Sequence, residues 1–235
     1  MNKRSINILV VEDEEAIRSG LIDVFVFHGY EVDSAATGPG GLRKALTGKF
    51  DLILLDIMLP GMDGYEICNQ IRARDRDQPI IMLTAKTSDE EIVQGLKLGA
   101  DDYVTKPFSV QQLVLRVEAV LRRSQIGIEQ AKSIGLNNGV CIDTENLSGR
   151  NGAESLAFTR REIEILSYLA AHSSRPVSRE ELLTKVWGYA RNLDIETRTV
   201  DIHIAKLRRK IEADPKNPAS LTTVRGAGYR LLTAD

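Results

Sequence analysis

Apolar positions in the first half of the chain alternate between two rhythms. Ile6–Val11, Asp51–Leu55 and Pro79–Leu83 are short, nearly continuous apolar runs, the pattern of strands buried on both faces. Between the first two lies Ala16–Phe27, where Ile17, Leu21, Val24 and Phe25 recur at helical spacing. Tyr30–Ala35 and Asp102–Thr105 read as further strands. Gly41–Leu46, Gly64–Arg74, Glu91–Leu98 and Val110–Arg123 read as helices, and Ser88-Asp-Glu-Glu91 has capping-box spacing at the start of the third. Five strand–helix units in about 120 residues predict an α/β doubly wound, five-stranded parallel sheet with helices on both faces.

The rhythm changes after Arg123. Residues 124–133 carry no clear period and are assigned as a linker between a first domain, 1–123, and a second, 134–235. Leu136–Phe158 places Gly and Asn between short β-like pieces, which suggests a small antiparallel sheet. Helices are expected from Thr159 and from Ser178, each opened by a capping box, Thr-Arg-Arg-Glu162 and Ser-Arg-Glu-Glu181. A third is expected over about Glu196–Ile211. Leu221–Leu232 alternates around Gly226-Ala-Gly228 and reads as a hairpin. The second domain is therefore expected to be α+β.

Charge sharpens this division. The 235 residues carry 31 Lys+Arg and 33 Asp+Glu, a formal charge of -2, yet residues 1–123 hold 15 basic against 19 acidic side chains and residues 124–235 hold 16 against 14. Thr197–Ile211 alone holds Arg198, Lys206, Arg208, Arg209 and Lys210 against one acid, Asp201. Two domains with different partners are implied. No apolar run approaches the ~18 residues of a membrane helix, and the basic N-terminus lacks the apolar core of a secretory leader, so a cytoplasmic protein without a membrane partner is expected. Cys68 and Cys141 are far apart and belong to no metal-binding pattern, which points to free thiols.

In a doubly wound sheet, function collects beyond the carboxyl ends of the strands. Those ends present Glu12 and Asp13, then Asp56, then Thr84, then Lys106. Three crowded carboxylates require a counter-charge, and Mg²⁺ held by oxygen ligands suits them. Asp56 directly follows the central apolar run and is the candidate nucleophile for aspartyl-phosphate chemistry, with Lys106 and Thr84 as phosphate contacts. Taken singly, acids at strand ends are commonly solvated loop residues; the whole set on one edge is not expected by that account.

Val10-Val-Glu-Asp-Glu14, Leu54-Leu-Asp-Ile-Met-Leu-Pro-Gly-Met-Asp-Gly64, Leu83-Thr-Ala85 and Gly99-Ala-Asp-Asp-Tyr-Val-Thr-Lys-Pro-Phe108 resemble the flavodoxin-like receiver domain of bacterial two-component response regulators. The resemblance implies Asp56 as phosphoacceptor for a sensor histidine kinase, Glu12, Asp13 and Asp56 as the metal site, Thr84 and Tyr103 as the switch pair, and a cis Lys106–Pro107 peptide. It also implies a homodimer when phosphorylated, across a face where Lys97, Asp101, Asp102, Arg116, Arg122 and Arg123 supply charged pairs. Gln94 and Gln112 stand where relatives often carry a basic residue and a glutamate, which predicts a less salt-sensitive dimer.

Thr159–Leu166, Ser178–Trp187, Arg198–Ile211 and Thr223–Arg230 resemble the winged helix-turn-helix effector domain of OmpR/PhoB-type regulators. Helical periodicity turns Val200, Ile204, Leu207 and Ile211 inward and Arg198, Ile202, Ala205 and Arg209 outward, as a helix for the DNA major groove requires. A solvated basic face would look the same from charge alone. The resemblance assigns contacts with double-stranded promoter DNA to Arg198, Thr199, Ile202, His203, Lys206, Arg208, Arg209 and Lys210, with Arg225 at a wing tip. It assigns RNA polymerase contact to the loop 188–194 and a core position to Trp187. Function is then expected to be phosphorylation-activated transcriptional regulation rather than enzymatic turnover. The weighed alternatives are a Mg²⁺-dependent phosphohydrolase, which would want a second acid where Met58 stands, and a DNA binder with a merely structural receiver.

Overall fold

The computed structural model describes residues 5–85, 99–124, 131–189 and 198–234; the side chains of Arg123, Ser124 and Arg198 are not described. The chain forms two compact units, 1–124 and 125–235. The boundary falls at the start of the expected linker.

The first unit contains β1 (Asn7–Val11), α1 (Glu15–Phe27), β2 (Glu31–Ala35), α2 (Gly38–Ala45), β3 (Leu52–Asp56), α3 (Gly64–Arg74), β4 (Ile80–Thr84), β5 (Asp102–Thr105) and α4 (Val110–Ser124). The strands form one parallel sheet in the order β2-β1-β3-β4-β5. Every residue of β3 and β4 is buried, which explains why these runs carry no polar alternation. Ile8, Val10, Leu52, Leu54, Ile81 and Leu83 meet Leu21 and Phe25 of α1 and Leu113, Val117 and Val120 of α4 in a single core. Helix α2 begins three residues before its apolar spacing shows. Thr37 caps it through Gly40 N, and Pro39 occupies its first turn, where a missing N–H costs nothing. The expected helix over 91–98 lies outside the described residues.

The second unit begins with an antiparallel sheet of β6 (Ser133–Gly135), β7 (Cys141–Asp143), β8 (Ser148–Asn151) and β9 (Glu154–Ala157). Helix α5 (Arg160–Ala171) follows and carries a complete capping box between Thr159 and Glu162. Helix α6 (Arg179–Leu182) is capped by Ser178, but its Glu181 turns away to Arg175 and Tyr168, so the expected box is half formed. The chain then widens into a π-helical turn, Leu183–Trp187, ending at left-handed Gly188. Helix α7 (Arg198–Ile211) and the hairpin β10 (Leu221–Val224) and β11 (Gly228–Leu231) complete the unit. Trp187 is fully buried, as expected.

Candidate functional site

The carboxyl ends of β1 and β3 bring Glu12, Asp13 and Asp56 together, with one carboxylate oxygen of each within 4.8 Å of the others. Glu12 and Asp56 are buried and Asp13 is exposed, so the cluster opens to solvent on one side. Lys106, just past β5, reaches across the strand ends. Its Nζ donates to Asp56 Oδ2 at 2.6 Å and to Glu12 Oε2 at 2.8 Å. Burial alone would discharge this lysine, but the two carboxylates outweigh it and hold its pKa above the ordinary value. Burial likewise pushes the Glu12 carboxyl up, against the lowering pull of Lys106.

Asp56 is held at both oxygens, since Oδ1 accepts the Met58 backbone N–H at 2.9 Å. The turn after it is fixed by Gly64 N, which donates to Ile57 O, and a Cβ on Gly64 would stand 2.1 Å from the Asp56 carbonyl oxygen. Glycine is the residue that lets α3 start this close to the acceptor strand. Arg18 ties the β1–α1 turn by donating to the carbonyls of Glu12 and Asp13. Thr84 ends β4 beside this group, buried, with its carbonyl accepting from Lys106 N. The Lys106–Pro107 peptide is cis, as expected. Tyr103 lies inside: its hydroxyl is buried without a hydrogen-bond partner among the described residues, and burial drives its pKa well up. The donor set of three carboxylates around a solvent-open edge fits a hard divalent cation.

In the second unit the polar contacts run inward more than the periodicity suggested. Lys206 Nζ sits 2.9 Å from Glu162 Oε1, and Lys210 Nζ sits 2.6 Å from Glu162 Oε2. His203 packs edge-on against Trp187 with ring centroids 5.2 Å apart. Arg208 donates to Leu221 O and Thr223 Oγ1 and lies over the Tyr229 ring, which fastens the hairpin to α7. Thr199 and Ile202 are buried as well. His203, Lys206, Arg208 and Lys210, all expected at DNA, thus each make contacts within their own unit. Arg209 and, at the hairpin turn, Arg225 are exposed; the Arg198 side chain lies outside the described residues.

A family model for the response regulator receiver domain matches residues 8–118, and one for the C-terminal domain of transcriptional regulatory proteins matches residues 153–231. The chain is 44% identical over 238 residues to the alkaline phosphatase synthesis transcriptional regulatory protein PhoP of Bacillus subtilis, covering 98% of this chain and 97% of that one. The chain belongs to the OmpR/PhoB-type response regulators. It is thus a two-component regulator with a DNA-binding winged-helix domain, in a family typically activated by phosphorylation. Sensory transduction protein RegX3 of Mycobacterium tuberculosis is 41% identical over 226 residues, 96% of this chain and 98% of that one. Among solved structures, a RitR mutant gives a TM-score of 0.73 at 29% identity, covering 98% of this chain and 100% of that one. DrrB of Thermotoga maritima, described as an OmpR/PhoB homolog, gives 0.50 at 30% identity, covering 97% and 99%.

Among the described residues, three of the charges expected on the regulator's dimer face, Asp101, Asp102 and Arg116, form ion pairs within one chain. Arg72 Nη2 donates to Asp101 Oδ2 at 2.9 Å, and Asp101 also accepts from Ile80 N. Arg116 Nη1 donates to Asp102 Oδ2 at 2.6 Å. All four side chains are buried, so within one chain Asp101, Asp102 and Arg116 already have ion-pair partners. Arg122 is exposed, while Lys97, Gln94 and the Arg123 side chain lie outside the described residues. Sequence reading missed Arg72, which gathers the carbonyls of Gly99 and Gln78 besides Asp101. No periodic signal marks a helix C-terminal arginine as buried. Glu162 was seen as a cap and missed as a hub. The i,i+4 spacing of Lys206 and Lys210 was the available signal, lacking only the knowledge that α5 lies across α7. Most of the loop 188–194 lies outside the described residues.

Proposed function

We propose that Asp56 accepts a phosphoryl group from a sensor histidine kinase and that the acyl phosphate promotes homodimerisation and promoter binding. The observation that carries this reading is the Asp56 carboxylate held between the Met58 N–H and the Lys106 ammonium. An Asp56 oxygen attacks phosphorus, and the kinase imidazole leaves with the former P–N electron pair. Lys106 offsets negative charge gathering on the phosphoryl oxygens. Glu12, Asp13 and Asp56 would hold Mg²⁺, which supplies further charge neutralisation when bound. Met58 offers no side-chain hydrogen bond to align a water, so the acyl phosphate should persist for minutes or longer. Thr84 turns toward the new phosphate and Tyr103 fills the space behind it, which couples the site to α4 and β5.

In the effector unit, Arg198, Arg209 and Arg225 engage promoter DNA, with α7 in the major groove and the hairpin turn in a neighbouring minor groove. RNA polymerase meets the loop after Trp187. The absence of a helix long and apolar enough to cross a membrane, among the described residues, agrees with a cytoplasmic site of action.

The test is incubation of the full chain with Mg²⁺ and acetyl phosphate. A single phosphoryl mass increment is expected, absent in Asp56→Ala, together with tighter operator binding by the phosphorylated protein alone. An unmodified mass would overturn the reading. Modification without any change in oligomeric state or DNA affinity would favour a structural receiver instead.

A further inference from the structure

We propose that Glu162 acts as an internal rival of DNA phosphate for Lys206 and Lys210, and so limits how strongly the regulator holds DNA of any sequence. Glu162 lies at the N-terminus of α5 and has no exposure to solvent. Its Oε2 accepts the Thr159 backbone N–H at 2.8 Å, which is the one bond the Glu162 side chain supplies to the capping box. The capping role needs one acceptor oxygen and no charge, because glutamine serves in the same box. The negative charge is used elsewhere. Lys206 and Lys210 stand one turn apart on α7 and close on the two carboxylate oxygens at 2.9 and 2.6 Å. Lys210 is further fixed by the Ala157 carbonyl at 2.8 Å and by the face of Phe158.

These two lysines belong to the helix that the family places against DNA. A phosphate that drew either of them out would leave a buried carboxylate short of its counter-charge, which low-dielectric surroundings penalise heavily. The carboxylate therefore keeps both ammonium groups at home. Each lysine that reached a phosphate would release counterions and steepen the salt dependence of binding by about 0.9 in log–log slope. Holding both back lowers sequence-independent affinity and leaves discrimination to the remaining contacts. Glu162 is a positioning residue in this scheme, since it touches no DNA itself.

The experiment uses the full chain and a fluorescent duplex of arbitrary sequence, with affinity measured from low to high salt. Glu162→Gln keeps the cap and removes the charge. The expected result is at least a several-fold gain in affinity at low salt and a slope steeper by about one to two, with Trp187 fluorescence unchanged. Adding Lys206→Met and Lys210→Met to that variant should return the slope to the wild-type value. An unchanged slope or a weaker complex in a folded Glu162→Gln variant overturns the proposal. Should that variant fail to fold, the single changes Lys206→Met and Lys210→Met in the otherwise wild-type chain decide. Each is expected to leave the slope alone; a slope shallower by about 0.9 for either would show a lysine already on phosphate and overturn it.

Discussion

The side chain that organises the phosphoacceptor pocket is a cation. Lys106 stands between Glu12 and Asp56, and both carboxylates are almost wholly withdrawn from water. Removing it leaves two like charges facing each other in a poorly solvated site. Lys106→Met should therefore destabilise the first unit by about 3 kcal/mol. Divalent cation should then compensate for what the lysine supplied. The melting temperature of Lys106→Met is expected to rise more on adding Mg²⁺ than that of the wild type, since binding to the folded state alone adds stability by mass action. Equal shifts in the two proteins would mean that the lysine and the metal do not share one electrostatic task. The pocket's ingredients were legible in the sequence because each stands at a strand end, and strand ends follow from apolar runs. That the lysine bridges two acids was not legible, because its reach depends on how β5 registers against β4 and β3.

At the level of helices and hairpins, the same carboxylate that restrains two lysines also makes the second unit sensitive to acid. Burial alone would raise the Glu162 pKa, but the adjacent Lys206 and Lys210 charges outweigh it and hold it at about 2. A folded-state pKa below the unfolded value adds stability above the unfolded pKa, near 4.5, and loses it as pH falls toward 2. Trp187 is the chain's one tryptophan and lies in this unit, so its fluorescence reports the transition. Urea unfolding followed by Trp187 should show a stability loss on the order of 3 kcal/mol between pH 5 and pH 2. That portion should be missing in Glu162→Gln; identical pH profiles would dissociate the acid transition from this residue. The hairpin offers a second check. Gly228 has φ +120°, and a Cβ there would stand 2.0 Å from Val177 O. Gly228→Ala should cost more than about 1 kcal/mol and loosen the β10–β11 pair. It should weaken DNA binding while leaving phosphorylation of Asp56 intact. The hairpin itself was readable from alternation around two glycines. The π-helical turn before Gly188 was not, since local sequence there reads as ordinary helix.

For the molecule as a whole, the two-unit plan followed directly from the change in apolar rhythm and charge near residue 124, whereas the destination of individual charges did not. An exposed arginine and a buried one give the same helical pattern, and the difference lies in what the neighbouring element places opposite. This distinction governs how the phosphorylated regulator should assemble. Asp101 pairs with Arg72 and Asp102 with Arg116 within one chain, and Gln112 brings no charge. Exposed ion pairs contribute ~0.2–1 kcal/mol each and are screened within about 10 Å at 0.1 M salt. Dimerisation of the beryllofluoride-treated chain, followed by sedimentation equilibrium, should therefore weaken by less than about tenfold, ~1.4 kcal/mol, from low to high salt. Asp101→Asn and Asp102→Asn should act instead on folding, by about 3–5 kcal/mol, because each strands a buried arginine. Urea titration and sedimentation of the same variants separate the two roles. A variant that folds as well as the wild type yet fails to dimerise would show that its carboxylate leaves its own arginine for the other protomer.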